Sequence, residues 1–170
     1  TLDVTAIGHA HIDTAWLWPV RETIRKTGRT FASQIHNIEK YPGFKFGASQ
    51  PQLYAFTKEH YPALYEKIKK AVANGDWELQ GGMWVEADCN IPNGESLVRQ
   101  MLVGKHFYMD EFGQDVKNLW IPDVFGYSGN LPQIMKKAGV DYFLTQKLSW
   151  NRYNRFPHNS LDRKSTRLNS

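Results

Sequence analysis

Three side chains that could bind a metal ion occupy alternate positions near the start of the chain. His9, His11 and Asp13 lie in the segment GHAHIDTAWLWP, residues 8–19. Residues two apart along an extended backbone project from the same side, so these three side chains would point the same way. Imidazole and carboxylate groups are ligands that zinc accepts. The spacing therefore predicts a metal site, against the alternative that the histidines only end a strand and the tryptophans fill a core.

Other carboxylates follow later strand-like segments. Asp123 stands between the run 118–121 and a glycine-containing turn, where an aspartate commonly caps its own backbone. Its place at a strand end favours a third metal ligand or a nucleophile instead. Glu86 and Asp88 are weaker candidates for a general acid, because carboxylates in a loop are normally solvated. A general acid needs an apolar or like-charged neighbourhood that raises the pKa of its carboxyl group.

The elements that must position these residues alternate between strands and helices. Apolar patterning predicts strands over 2–7, 44–48, 77–80, 118–121 and 141–145. It predicts helices over 20–40, 53–72, 95–112 and 131–138, with a break at Pro62. This alternation predicts an α/β fold with a mostly parallel sheet, in which ligands bind beyond the carboxyl ends of the strands. The candidate site residues fall at those ends.

Composition and charge narrow the class of protein. The chain has 170 residues, 41% of them hydrophobic, and a net charge of +4. No apolar run is long enough to span a membrane, and the basic residues are interleaved with acidic ones, so neither a membrane nor a nucleic-acid partner is expected. A single cysteine, Cys89, excludes an internal disulfide and favours a cytoplasmic location. The polar segment 161–170 lacks periodicity and is predicted to be a non-native or disordered tail, which leaves one partial domain over 1–160.

Four segments of the chain resemble one known family. Residues 8–19 and the segment WIPDVFGYS, residues 120–128, resemble the N-terminal catalytic domain of glycoside hydrolase family 38 α-mannosidases. The segments GGMWVE, residues 81–86, and FLTQKLSWN, residues 143–151, resemble its cytosolic/vacuolar-type and bacterial branch. The resemblance implies part of a seven-stranded, barrel-like α/β domain. It also leaves a vacuolar or lysosomal location open.

The resemblance implies a reaction and a set of site residues. The family's enzymes remove terminal α-linked mannose from oligosaccharides with retention, and they use zinc or, in some members, cobalt. The family pattern implies metal ligands at His11, Asp13 and Asp123, whereas geometry alone does not choose between His11 and His9. Asp123 would also be the catalytic nucleophile. Three further residues would contact the substrate or the nucleophile: Trp16, Phe125 and Lys147.

Two parts of the family's catalytic apparatus are expected outside this sequence. The resemblance implies that a further zinc-binding histidine and the general acid lie beyond residue 170, so we expect this chain alone to be inactive. It also allows for a homo-oligomer of the full-length enzyme. Two alternatives are a metal-dependent carbohydrate deacetylase or amidohydrolase, in which a metal-activated water attacks, and a non-catalytic mannose-binding module.

Overall fold

The computed structural model describes residues 3–150 and residue 153. The chain divides into two compact units, one formed by Thr1–Ala48 with Gln52–Leu79 and the other by Ser49–Pro51 with Gln80–Ser170. Among the described residues, no helix combines the length and the apolar character needed to cross a bilayer. The predicted tail over 161–170 lies outside the described residues.

The first unit contains a three-stranded parallel sheet whose strands lie side by side in chain order. Phe46 pairs with both Gly8 and Trp77, which sets the register of the sheet. Helices connect the strands, as parallel pairing requires. The elements run in the order β1 (Gly8–His9), α1 (Val20–Lys40), β2 (Phe46–Ala48), α2 (Pro51–His60), α3 (Pro62–Ala73) and β3 (Trp77–Leu79).

An aromatic cluster fills the core of the first unit. The ring of Trp77 on β3 lies edge-on to Phe46 and Phe31, with ring centres 4.7 and 5.0 Å apart. Its indole Nε1 donates to the Tyr54 hydroxyl at 2.9 Å, and that hydroxyl donates to the carbonyl oxygen of Ala48 at 2.8 Å. The buried polar atoms of this core are therefore paired, and burial raises the pKa of Tyr54.

The second unit pairs two parallel strands and packs them against two helices. Trp120 pairs with Leu144, and the segment leading into each strand follows a helix. Asn93 caps the longer helix by accepting a hydrogen bond from the Ser96 amide at 2.9 Å, and Gly113 ends it in the left-handed conformation. The elements are α4 (Gly94–Phe112), β4 (Asn118–Trp120), α5 (Leu131–Lys137), β5 (Tyr142–Leu144) and a 3₁₀ helix (Lys147–Trp150).

The structure confirms the α/β class and the parallel strand pairing, and it changes one strand. Over the described residues 3–7 the predicted strand is wrong, because regular pairing begins only at Gly8 and Val4 is exposed to solvent. An apolar run forms a regular strand only where a neighbouring strand pairs with it. Here β2 pairs with the chain at Gly8–His9. The predicted break at Pro62 is confirmed, since α3 begins there. The barrel-like closure stays a prediction.

Candidate functional site

His11 and Asp13 follow β1 directly and contact each other. Nε2 of His11 lies 3.2 Å from Oδ1 of Asp13, and both side chains are half-buried. Ile12 between them is buried, so the chain keeps the alternation that the sequence predicts. Burial, and then the charge of His11, lower the pKa of the nearby His9 to about 4. The sequence left His9 and His11 as alternatives, and the structure pairs His11 with Asp13.

The loop that carries Asp13 and Trp16, residues 13–18, is tied to the first turns of α1. The Thr23 hydroxyl donates to the carbonyl oxygen of Asp13 at 3.1 Å and accepts from Nε1 of Trp18 at 3.0 Å. Trp16 packs edge-on against Trp18, with ring centres 5.5 Å apart, and remains 66% exposed. Trp16 therefore presents an aromatic face to solvent.

Asp123 and Lys147 form an ion pair in the second unit. Nζ of Lys147 lies 2.9 Å from Oδ1 of Asp123, and the lysine side chain is 7% exposed whereas that of the aspartate is 37% exposed. The ammonium group also lies 3.2 Å from the centre of the Trp150 ring and 4.9 Å from that of Phe125. Phe125 is 68% exposed. Three residues implied by the resemblance, Asp123, Phe125 and Lys147, thus meet at the ends of β4 and β5.

The loop after β4 is held against the loop after β3. The amide of Cys89 donates to the carbonyl oxygen of Gly126 at 2.9 Å, and a Cβ at Gly126 would lie 2.8 Å from that of Asn90. The Tyr127 hydroxyl donates to the carbonyl oxygen of Val124 at 2.6 Å, and burial raises its pKa. This close approach requires glycine at position 126 and fixes the backbone that carries Asp123.

Glu86 and Asp88 have different surroundings in the second unit. Oε1 of Glu86 accepts from the Ser49 hydroxyl at 2.6 Å, and its amide donates to Oε1 of Gln50 at 3.2 Å. Gln50 has a φ of +67°, a strained conformation for a residue that precedes a proline. Oδ1 of Asp88 accepts from the amides of Asn90 and Ile91 at 2.8 and 2.9 Å. Asp88 therefore caps its own turn.

Comparison with known proteins identifies the family. Residues 1–164 match the model of the glycosyl hydrolases family 38 N-terminal domain. The chain belongs to this family.

This family 38 chain is similar to several named proteins. It is 50% identical over 157 residues to Alpha-mannosidase G of Dictyostelium discoideum and 48% identical over 157 residues to Alpha-mannosidase 2C1 of Homo sapiens. Each alignment covers 92% of this chain but only 14% and 15% of the two relatives. Its structure superposes on an alpha-mannosidase from Enterococcus faecalis V583 with a TM-score of 0.74 and 28% identity, over 82% of this chain and 16% of that one.

The donor groups of the family 38 chain suit a divalent metal ion. One imidazole and two carboxylates, at His11, Asp13 and Asp123, are donors of the kinds that could hold one. The 3.2 Å between Nε2 of His11 and Oδ1 of Asp13 fits this use. Two ligands at about 2.0–2.1 Å from a tetrahedral ion lie about 3.3 Å apart. Asp123 belongs to the second unit, and the joint site of all three residues stays a prediction.

Sequence reasoning missed the role of Thr23 in holding the 13–18 loop. Its only signal was a small polar residue at a buried position of an otherwise amphipathic helix. Such residues commonly return a hydrogen bond to their own helix, so this signal does not identify a partner ten residues away. Sequence reasoning also missed the hydrogen bond between Ser49 and Glu86, because it joins residues 37 positions apart.

Proposed function

We propose that this chain is part of the catalytic domain of a metal-dependent, retaining α-mannosidase. Membership of family 38 supports the proposal, as do similar proteins named alpha-mannosidase. The chain spans only 14% and 15% of the length of two of those relatives, so the activity is proposed for the full-length protein. The observation that carries the proposal is the partly exposed Asp123 carboxylate, held by the buried Lys147 beside exposed aromatic rings.

Asp123 is the proposed nucleophile. Its carboxylate attacks the anomeric carbon of the terminal mannose and forms a covalent glycosyl intermediate, while the bond to the leaving oxygen breaks. A general acid from another part of the full-length protein protonates that oxygen, and water then hydrolyses the intermediate with net retention. The Lys147 ammonium group orients the Asp123 carboxylate and balances its charge before attack, at a cost of little reorganisation.

His11, Asp13 and Asp123 would together hold the metal ion, for which zinc is proposed and cobalt is an alternative. When bound, such an ion supplies Lewis acidity and a template for the sugar hydroxyls. The contact between His11 and Asp13 brings two of the proposed ligand atoms to 3.2 Å. The buried side chain of Ile12 anchors the backbone between these two residues, which favours a defined ligand geometry.

A mannose-containing oligosaccharide is the proposed substrate. Trp16 in the first unit and Phe125 in the second are 66% and 68% exposed, and each offers a flat apolar face. The C–H faces of a pyranose pack on such rings while its hydroxyls bind polar groups. A cytoplasmic location is proposed as well, supported by the buried Cys89, which forms no disulfide. A homo-oligomer of the full-length enzyme stays a prediction.

The proposal is tested by trapping the intermediate in the full-length protein. We expect a fluorinated mannoside that slows hydrolysis of the intermediate to label the peptide containing Asp123, as read by mass spectrometry. D123N should lower turnover of an aryl α-mannoside by at least about 10³-fold, whereas the matched substitution D110N on α4 should leave it near the wild-type value.

Three outcomes would overturn the proposal. Label on another residue would exclude Asp123 as the nucleophile. Hydrolysis of an acetylated or amide substrate without any covalent adduct would indicate a metal-dependent deacetylase or amidohydrolase. Mannose binding without turnover by the full-length protein would indicate a binding module.

A further inference from the structure

We propose that Thr23 is a positioning residue that fixes the 13–18 loop and thereby sets the metal-binding geometry of Asp13. The inference rests on the proposed function, because it requires Asp13 to be a metal ligand. Thr23 itself touches neither the proposed metal nor the substrate. It acts through the backbone of Asp13 and the side chain of Trp18, which stand at the two ends of the loop.

The Thr23 hydroxyl makes both of these contacts at once. The residue is 0% exposed, and its hydroxyl donates its single proton to the carbonyl oxygen of Asp13 at 3.1 Å. The same oxygen accepts from Nε1 of Trp18 at 3.0 Å. A hydroxyl offers one donor and two acceptor sites, so both bonds form at once. One buried side chain thus pins both ends of a six-residue loop to the rigid helix α1.

Pinning the loop constrains two proposed site residues. A fixed carbonyl at Asp13 holds the adjacent peptide plane in place and so restricts the directions in which the Asp13 side chain can leave the backbone toward His11. Trp16 lies between the two pinned ends, and its ring rests edge-on against Trp18 at 5.5 Å. The ammonium group of Lys26 lies 4.5 Å from the centre of the Trp18 ring. Trp18 is therefore a support for Trp16 that is itself held by the helix.

The hydroxyl group matters here rather than the shape of the side chain. Valine has nearly the same shape as threonine but would leave a carbonyl and an indole N–H without their buried partner, which costs more than the bonds were worth. Serine keeps both bonds. T23V and T23S therefore separate loss of hydrogen bonding from loss of packing.

Thr27 provides a matched control one helical turn later. It is also 0% exposed, and its hydroxyl donates to the main-chain oxygen of Thr23 at 2.8 Å. T27V removes a buried threonine hydroxyl from the same helix without removing either bond to the loop. A general loss of stability in α1 should therefore appear equally in T27V and T23V.

The experiment measures metal binding by the full-length protein, apart from activity. Dissociation constants for Zn²⁺ and Co²⁺ are determined by equilibrium dialysis against a chelator, for wild type, T23V, T23S, T27V and D13N. Loss of a group that orients a ligand typically weakens metal affinity by about 10- to 100-fold, and we expect this for T23V. T23S and T27V should stay close to wild type, although T27V should share the lower Tm of T23V. W18F, which removes the indole donor and keeps a smaller aromatic ring beside Trp16, should shift the affinity in the same direction as T23V and serves if T23V does not fold.

The outcomes separate this inference from the proposed function. If D13N loses the metal but T23V and W18F bind it like wild type, Thr23 has a structural role only and the inference is wrong. If T27V weakens binding as much as T23V, the effect comes from helix stability, and the inference is also wrong. If D13N binds metal like wild type, the proposed metal site fails, and the inference fails with it.

Discussion

Asp123 and Lys147 form an ion pair in which Nζ of Lys147 lies 2.9 Å from Oδ1 of Asp123. Each residue stands three positions after one member of a directly paired couple of strand residues. Trp120 on β4 pairs with Leu144 on β5, and Asp123 and Lys147 follow at equal distances along the chain. The parallel register thus carries both side chains to the same end of the sheet. The ammonium group is nearly buried against the Trp150 ring, while the carboxylate stays accessible to a ligand.

Removing the ammonium group of Lys147 should impair catalysis more than folding. We expect K147M in the full-length protein to lower kcat/KM for an aryl α-mannoside by about 10- to 100-fold, equivalent to about 1.4–2.7 kcal/mol. The reason is that the Asp123 carboxylate loses the group that orients it and balances its charge. The control is K137M at an exposed position of α5. Steady-state kinetics in which K147M matched K137M would exclude this role for Lys147.

The chain by itself should be inactive. A retaining glycosidase needs a second carboxyl group about 5–5.5 Å from the nucleophile to protonate the leaving oxygen, and we propose that another part of the full-length protein supplies it. We expect purified residues 1–160 to show no turnover of an aryl α-mannoside under conditions in which the full-length protein is active. The comparison uses equal molar amounts and D123N full-length protein as the background. Turnover by the short chain equal to that of the whole protein would refute the expectation.

Asp115 should make stability depend on pH at the acidic end. Hydrogen bonds from Lys105 and then Lys117 lower the pKa of Asp115 in the folded protein. Because the pKa is lower in the folded than in the unfolded chain, the stabilisation is present above the unfolded value of about 3.9 and is lost as pH falls through the folded value. D115N should therefore show a small decrease in stability at pH 7, within the range of an exposed ion pair, and this difference should vanish in acid.

Urea unfolding at several pH values checks the Asp115 prediction. D110N removes a carboxylate from the exposed surface of α4 and serves as the control for the change in net charge. A difference between wild type and D115N that grew as the pH fell would contradict the sign of the pKa shift. A difference shared equally by D110N would assign the effect to net charge alone.

Gly28 should be less tolerant of alanine than a helical glycine usually is. Alanine stabilises a helix interior by about 1 kcal/mol relative to glycine. At position 28 of α1, however, a Cβ would lie 2.7 Å from the ring of Tyr61. Since overpacking costs about 1–3 kcal/mol, we expect G28A to lower the Tm despite the better propensity. G94A, at a helical glycine with no atom within 4 Å of its added Cβ, should keep or raise the Tm. Thermal unfolding in which both variants gained stability would show that Tyr61 moves away at little cost.

Much of the second unit's site follows from local patterning. Apolar runs over 118–121 and 141–145 indicate two strands, and a parallel sheet brings their carboxyl ends together. The sequence alone therefore predicts that Asp123 and Lys147 lie at the same end of the sheet. The spacing of an extended chain likewise predicts that His9, His11 and Asp13 share one side, and the structure buries Ile12 between two of them.

The sequence by itself determined the alternation of strands and helices, the parallel pairing and the strand ends at which site residues gather. Local periodicity assigns each element, and strands joined through helices pair in parallel. Only the tertiary structure decided that β1 begins at Gly8 and that Thr23 holds the loop of Asp13. Each of these depends on which atoms of separate segments come within hydrogen-bond distance. Periodicity assigns a residue to a face of an element, but packing in three dimensions selects the group that this face meets.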